Sequence, residues 1–197
     1  MKKAIRNQYA EQGVETFYKT HADVYENPHF PYIKSLLQQN KNRIDYMQVL
    51  DFSCGGGEVT LILQSLGYEN TIGCDPFTQT LFEKNTQKTC WHFSFEDVVK
   101  GKMAAEISQQ TPSVKMPFSA IICSFAMHLC PQKMLQPLVF QLFTISENIV
   151  IITPHKRPAL EEIPNLHLVF DDFVLTKRGK KVFLKSYALG IKALLSF

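Results

Sequence analysis

Residues 49–60 read Val49-Leu50-Asp51-Phe52-Ser53-Cys54-Gly55-Gly56-Gly57-Glu58-Val59-Thr60. An apolar run from Met47 to Phe52 precedes the three glycines, and the apolar residues at positions 59, 61, 62 and 66 follow with helical spacing. This pattern predicts a strand, a tight turn and a helix. Glycines in such a turn allow positive φ angles and let a ligand lie against the backbone, near the amides that begin the helix. The stretch therefore predicts the binding site of a small cofactor.

The dinucleotide fingerprint G-x-G-x-x-G is one interpretation of these glycines. It fits poorly, because Thr60 stands where the third glycine should be, and NAD is therefore the second choice of cofactor. The stretch instead resembles motif I of the class I S-adenosylmethionine-dependent methyltransferases, Asp/Glu-x-Gly-x-Gly-x-Gly, with Asp51, Ser53, Gly55 and Gly57 on the key positions. Ser53 departs from that motif, since serine restricts the backbone more than glycine does.

A second acidic residue follows at a distance that supports the same interpretation. Residues 71–74 predict a short strand that ends in Asp75-Pro76, and Asp75 lies 24 residues after Asp51. In this kind of sheet a carboxylate about 20 residues after the loop meets ribose hydroxyls. A carboxylate accepts hydrogen bonds from both hydroxyls of a diol, which makes Asp75 the ribose candidate. Alternatively, Asp75-Pro76 only forms a turn and begins a helix.

The family resemblance implies S-adenosylmethionine as the cofactor and extends the site to two further loops. After a third strand at 90–93, the acidic residue usual in the family falls on Ser94, which would hydrogen-bond the adenine while Phe95 stacks on it. The end of the fourth strand and the N-terminal segment would complete the pocket. The implied cofactor-binding residues are Asp51, Ser53, Cys54, Gly55, Gly56, Gly57, Asp75, Pro76, Ser94, Phe95, Ser124, Phe125 and Tyr25.

The remaining segments alternate between strand and helix patterns. We predict helices at 33–37, 78–84, 100–110 and 131–146, buried strands at 118–124 and 148–153, and a final hairpin over 166–175 and 181–189. The expected fold class is α/β, a three-layer Rossmann-like methyltransferase fold whose seven-stranded mixed sheet ends in an antiparallel C-terminal hairpin strand. The family's strand order is 3-2-1-4-5-7-6.

The segment before the first strand is dense in polar aromatic residues. We expect residues 1–44 to be a helical cap or lid and 45–197 to be the cofactor-binding core of a single domain, with Pro28 and Pro31 stopping a helix. Alternatively, these aromatic side chains only pack a helix onto the sheet. The lid candidates are Tyr18, Tyr25, Asn27 and His29.

Composition narrows the class of protein. The 197 residues, 45% of them hydrophobic, suffice for one globular core. The net charge of +3 is well below that of dedicated nucleic-acid binders, although residues 177–181 are locally basic. The five cysteines form no C-x-x-C pair, so we expect reduced thiols and no metal. Without a secretory signal or a membrane-spanning apolar run, we expect a cytoplasmic protein with no membrane partner.

The resemblance implies a methyltransferase but leaves its acceptor open. A small molecule is the first choice, because no Asn-Pro-Pro-Tyr motif follows the fourth strand and no RNA-binding module is appended. An RNA or protein acceptor is the alternative, as is an inactive relative that only binds the cofactor or a partner. The sequence does not indicate the oligomeric state.

Methyl transfer requires the acceptor to be positioned in line and, for a hydroxyl or a protonated amine, a base to take its proton. Histidine suits this role, because its ordinary pKa near 6.5 leaves it mostly neutral in the cytoplasm. We rank His128 first and His155 second, after the fourth and fifth strands, with His29 in the lid as the third candidate. Lys156 and Arg157 are candidates to hold an anionic acceptor. Alternatively, a lone histidine beside apolar residues such as His128 is structural.

Overall fold

The computed structural model describes residues 28–110, 117–154 and 157–190. Its helices are α1 (Phe30–Gln39), α2 (Glu58–Ser65), α3 (Gln79–Thr86), α4 (Phe95–Val99), α5 (Lys102–Gln110) and α6 (Gln132–Leu142). Its strands are β1 (Val49–Phe52), β2 (Thr71–Cys74), β3 (Cys90–Trp91), β4 (Ala120–Ser124), β5 (Ile149–Thr153), β6 (Leu166–Leu175) and β7 (Lys181–Leu189). The predicted residues Tyr18, Tyr25, Asn27, His155 and Lys156 lie outside the described residues.

The strands form one mixed sheet in the order β3-β2-β1-β4-β5-β7-β6. The five strands β1 to β5 are mutually parallel, and β7 pairs antiparallel with both β5 and β6. The predicted fold class and the predicted strand order are both confirmed. Among the described helices, none is long and apolar enough to cross a membrane; the cytoplasmic location stays a prediction.

Both faces of the sheet are covered, which explains why its central strands are almost continuously apolar. Alternate residues of each strand point to opposite faces. One face packs Leu50, Ile121 and Ile151 against buried side chains of α4, α5 and α6. The other packs Val49 and Ile122 against α1 and α2. The result is a three-layer core, of which α1 is a part.

Several element boundaries differ from the prediction. The helix predicted over 100–110 is two helices, α4 and α5, because the chain turns at Gly101 with φ of 76°. The third strand ends at Trp91, so Phe93 lies outside it. Pro31 does not stop a helix as expected but lies in the first turn of α1, where a missing N–H costs nothing. These differences leave the sheet unchanged.

Gly57 is required by packing between α2 and α3. It precedes α2 with φ of 90°, and a Cβ atom added to it would overlap the Cγ2 methyl of Thr86 and lie 3.2 Å from the Phe82 ring. Any side chain at this position would therefore be driven into α3.

We predict that Gly57→Ala lowers the free energy of unfolding by more than Gly67→Ala does. Gly67 has a similar φ of 89°, but an added Cβ there would have no heavy atom within 4 Å. Its alanine variant therefore reports backbone strain alone, about 1–2 kcal/mol. Overpacking should add about 1–3 kcal/mol at Gly57. Chemical denaturation measures both values.

A second substitution tests the named contact. Thr86→Ser removes the Cγ2 methyl but keeps the hydroxyl that donates to the Phe82 carbonyl oxygen at 2.8 Å. In the Thr86→Ser background, Gly57→Ala should lower the free energy of unfolding by little more than Gly67→Ala does. Equal losses for Gly57→Ala and Gly67→Ala in the wild-type background would contradict the packing argument.

Candidate active site

The loops that follow the parallel strands meet at one edge of the sheet. Phe52 at the end of β1 is in register with Cys74 on one side and Cys123 on the other. Cys74 is in register with Trp91, and Ser124 with Ile152. The carboxyl edge of such a sheet is where open α/β folds bind their ligands. The loops after β1, β2, β3, β4 and β5 therefore form the candidate site.

Asp51 is buried at the end of β1 and bonded to the helix that follows the glycine loop. One of its carboxyl oxygens accepts hydrogen bonds from the Thr60 backbone N–H at 3.1 Å and from the Thr60 hydroxyl at 2.8 Å. Burial, with smaller contributions from the charges of Glu58 and Asp75, raises the pKa of Asp51 to about 8. A cationic ligand nearby would favour the ionised form of this carboxyl group.

Asp75 joins the second loop to the first. Its Oδ2 accepts from the backbone N–H of Gly55 at 3.3 Å, and its Oδ1 accepts from the N–H groups of Phe77 and Thr78. The second set of bonds is the turn that we considered as the alternative to ribose binding. The turn occupies one carboxyl oxygen and leaves the other facing the glycine loop, so ribose binding by Asp75 stays a prediction.

The backbone is strained at two predicted site residues. Ser53 has φ of 58° and Phe125 has φ of 56°, in the left-handed region that residues other than glycine rarely adopt. Ser53 thus takes the conformation for which the family motif has glycine. Residues with such a strained backbone persist only where the surrounding structure holds them in place. They are found mainly at binding and catalytic sites. Gly55, two residues after Ser53, also has a positive φ, and a Cβ there would meet only Glu58, at 3.5 Å.

The third loop is organised by a capping box. The Ser94 hydroxyl accepts from the Asp97 N–H and donates to the Asp97 carboxylate at 2.6 Å, while Lys102 bonds the other oxygen of Asp97. These hydrogen bonds hold the pKa of Asp97 below its ordinary value, and the bond from Lys102 contributes most. Phe95 packs on Phe52 with ring centroids 5.8 Å apart. Ser94 keeps one free lone pair for an adenine amino group, and this contact stays a prediction.

Buried thiols and an amide hold the glycine loop against its neighbours. The Sγ atoms of Cys54 and Cys90 lie 3.6 Å apart in a small cluster with Phe82. Burial raises the pKa of Cys54, so this thiol is neutral. On the other side, the Asn85 amide donates to the Gly56 carbonyl oxygen at 2.9 Å. These contacts give Cys54 a packing role within the loop.

Two buried hydroxyl groups at this edge are left without a hydrogen bond. The Oγ of Ser124 and the Oγ1 of Thr78 have no partner among the described residues. A buried polar group without a partner is costly, and it commonly marks a ligand or water position. With the carboxyl groups of Asp51 and Asp75 and the open side of Gly55, these hydroxyls fit a polar, positively charged cofactor.

Two of the three predicted histidines, His29 and His128, lie near the end of β4. The His29 ring stacks on Phe125 with centroids 4.3 Å apart, which brings the segment before α1 to the end of that strand. His128 is exposed on the short turn Met127–Leu129 and lines a cavity of about 520 Å³. Arg157, predicted to hold an anionic acceptor, lines the same cavity. The full set of lining residues is His128, Cys130, Gln132, Arg157, Pro158, Ala159 and Glu162.

Several residues of the site were not indicated by the sequence. Thr60 was detectable in principle, because the backbone N–H groups in the first turn of a helix have no partner within the helix and need an acceptor. No sequence pattern indicated Asn85 or Glu162. Asn85 reaches the site through the packing of α3, and Glu162 through the path of the chain after β5. Across the described ranges, no group of three or more His, Cys, Asp and Glu side chains is arranged to hold a metal.

The chain shares its fold with known proteins but has low sequence identity to them. No family model matches the chain. An uncharacterized protein of Schizosaccharomyces pombe is 26% identical over 198 aligned positions, which cover 80% of this chain and 77% of that protein.

Solved structures match over nearly the whole length. A S-adenosylmethionine-dependent methyltransferase of Anabaena variabilis has a TM-score of 0.62 at 12% identity, covering 95% of this chain and 96% of that one. A structure concerning the conversion of a disulfide bond into a thioacetal group during echinomycin biosynthesis has a TM-score of 0.62 at 15% identity, covering 92% of this chain and 94% of that one. Magnesium protoporphyrin IX methyltransferase of Synechocystis, with bound S-adenosylmethionine, has a TM-score of 0.59 at 12% identity, covering 93% of this chain and 95% of that one.

We predict that Asp51 makes stability fall with rising pH. The folded state holds the proton up to about pH 8, whereas an unfolded aspartate loses it near pH 4. Between these values the folded state binds more protons, so the free energy of unfolding falls by up to about 1.4 kcal/mol per pH unit. Asp51→Asn removes this dependence and keeps an acceptor for Thr60. Denaturation curves at pH 5, 6.5 and 8 should show that the free energy of unfolding of Asp51→Asn rises with pH relative to that of the wild type.

The exposed carboxyl group of Asp171 supplies the control. Asp171→Asn should leave the pH dependence of the wild type unchanged. Parallel stability curves for Asp51→Asn and the wild type across this range would show that Asp51 ionises normally.

Proposed function

We propose that this chain, which has the fold of the class I S-adenosylmethionine-dependent methyltransferases, is an enzyme of that kind. The observation that carries the proposal is the placement of two carboxyl groups around the glycine loop. Asp51 lies beneath the loop, bonded to Thr60, and Asp75 bonds the Gly55 amide from the side. Together they place two carboxyl groups at the edge of the sheet where a cofactor with a sulfonium centre would bind, and its positive charge would favour the ionised form of Asp51.

Each loop offers a specific contact to the cofactor. Asp75 would hold the ribose hydroxyls, and the backbone at Gly55 and Gly56 would lie along the cofactor. Ser94 and Phe95 would contact the adenine, and the buried hydroxyl of Ser124 would find a partner. When bound, S-adenosylmethionine supplies a methyl group that its sulfonium already makes electrophilic. The protein therefore needs to position the acceptor and handle a proton.

The cavity beside His128 is the proposed entry of the acceptor. Its volume of about 520 Å³ lies within the usual range of small-molecule sites, roughly 300–1,000 Å³. We therefore place a small molecule first, with His128 accepting its proton and Arg157 holding an anionic group. Two of the structural neighbours concern small molecules, an echinomycin intermediate and magnesium protoporphyrin IX. His29, stacked on Phe125, is the second candidate base.

An RNA acceptor is the second candidate. The observation that favours it is the basic turn between β6 and β7, where Lys177, Arg178 and Lys180 are exposed. An inactive cofactor-binding module is the third candidate. Such a module would need Asp51 and Asp75 as the enzyme does, so methyl transfer from the labelled cofactor, and not these carboxyl groups, separates the two.

We predict that Asp75→Asn weakens S-adenosylmethionine binding roughly ten- to a hundred-fold, the cost of a charged hydrogen bond of about 1.5–3 kcal/mol. An asparagine oxygen can still accept from Phe77 and Thr78, so the turn should be preserved. Its amide nitrogen cannot accept from the Gly55 N–H, so the melting temperature should fall slightly. Isothermal titration calorimetry gives the affinities.

Asp45→Asn is the matched control, because the Oδ1 of Asp45 also accepts a backbone N–H two residues ahead, at 2.8 Å from Met47, but lies before β1. It should bind the cofactor as the wild type does. A wild-type protein that binds NAD but neither S-adenosylmethionine nor its demethylated product would refute the proposed function.

We predict that radioactive methyl groups from labelled S-adenosylmethionine appear in the small-molecule fraction of a cell extract. His128→Gln should then lower the turnover rate by about 10²–10⁴ if His128 is the general base, with His29→Gln as the comparison. Label confined to RNA or to protein would reject a small-molecule acceptor. Turnover within about tenfold of wild type for both variants would leave positioning alone as the source of catalysis.

A further inference from the structure

The hairpin of β6 and β7 places a cluster of positive charge beside the candidate site. Phe183 of β7 pairs with Thr153, the last residue of β5, so Lys181 and the turn before it extend past the carboxyl end of β5. Four of the five residues from 177 to 181 are basic. We call Lys177, Arg178, Lys180, Lys181 and Phe173 together the hairpin surface.

The turn that carries these charges has a defined structure. The N–H of Thr176 donates to the Lys180 carbonyl oxygen, and the Lys180 N–H donates to the Thr176 hydroxyl. The Lys177 N–H donates to the Tyr32 hydroxyl at 3.1 Å, which fixes the turn to α1. The backbone is therefore ordered before any ligand binds, and less entropy is lost on binding.

The positive charges of the hairpin surface are not neutralised within the described chain. The ion pairs of the described residues join Lys88 to Glu69, Lys100 to Glu96, Lys102 to Asp97, and Lys185 to Glu161, and none includes Lys177, Arg178, Lys180 or Lys181. Lys185, four residues along the same strand as Lys181, is thus paired while Lys181 is not. Unpaired cations clustered on a short turn favour a ligand with several negative charges.

An exposed aromatic ring accompanies these charges. Phe173 is 44% exposed although it lies in a strand, and the Lys181 ammonium lies 3.8 Å from its ring centroid. A line of rings then leads from the turn to the cleft. Tyr32 lies 6.3 Å from His29, and His29 stacks on Phe125 at 4.3 Å between centroids. Cations beside aromatic rings are the combination that binds phosphates and unstacked bases together.

We propose that the hairpin surface binds single-stranded nucleic acid. Phosphates would contact the four cations, and a base would stack on Phe173. A duplex cannot offer its base faces to such a ring. Binding to an anionic bilayer is the alternative outcome of the test, because the exposed side chains of Phe173 and Leu175 lie beside the same cations. This binding is separate from the proposed methyl transfer.

The test is fluorescence anisotropy of a labelled twelve-nucleotide oligouridine titrated with the full chain. We expect saturable binding that weakens with salt. Arg178→Gln with Lys180→Gln should weaken binding at least tenfold and reduce the slope of log affinity against log salt by about 1.4, since each lost phosphate contact contributes roughly 0.7. Phe173→Leu should weaken binding about tenfold through lost stacking.

Lys84→Gln with Lys88→Gln is the matched control, because it removes two positive charges from the end of α3 and the loop after it, beside the opposite edge of the sheet. It should leave the affinity within about twofold of wild type. Melting temperatures and S-adenosylmethionine binding of every variant are measured on the same samples. These controls separate a failure of the hairpin surface from a failure of the proposed function.

Three outcomes would overturn the proposal. The first is an absence of binding by the wild type at 50 mM salt with about 100 μM protein, a concentration at the upper end of the usual range of nonspecific dissociation constants. The second is an equal loss of affinity in the hairpin and control variants. The third is binding to phosphatidylserine vesicles in preference to oligouridine. Hairpin-specific loss with unchanged cofactor binding would support it.

Discussion

Two hydrogen bonds from Thr60 to the buried carboxyl group of Asp51 connect the first strand to the helix beyond the glycine loop. With both ends of the loop held in this way, the Gly55 amide points toward Asp75, and Gly57 fits closely against α3. Burying a carboxyl group in this position is costly, and the raised pKa of Asp51 reports that cost. A positively charged ligand would offset it. The same network that shapes the loop thus prepares the cleft for a cationic cofactor.

The sheet could be predicted from sequence because its information is local. Apolar runs mark β1, β2, β4 and β5, the three glycines mark the first turn, and the family resemblance supplies the strand order. The spacing of Asp51 and Asp75 also indicated the edge at which they meet. What the sequence left open depends on contacts between distant segments. The stacking of His29 on Phe125 joins residues 96 positions apart, and no local pattern signals it.

The two surfaces near the end of β5 bear on different aspects of function. The cavity beside His128 and Arg157 depends on the chain that follows β4 and β5, whereas the hairpin surface depends on how far β6 and β7 extend past the sheet. A fold hosts many activities, and its acceptor is decided by such additions rather than by the shared core. The proposed cofactor cleft, the cavity and the hairpin surface thus use different residues, and each can be tested separately.

The most direct test of the central claim is a nuclear magnetic resonance titration of the isotope-labelled chain with S-adenosylhomocysteine. If three loops at the carboxyl edge bind the cofactor, the backbone amide signals of Ser53 to Gly57, of Asp75, Phe77 and Thr78, and of Phe95 should shift together and saturate with one dissociation constant. Signals from the far ends of the strands, such as Val49 and Thr71, should move little. Shifts in these loops with NAD but not with S-adenosylhomocysteine, or shifts confined to another surface, would contradict the account.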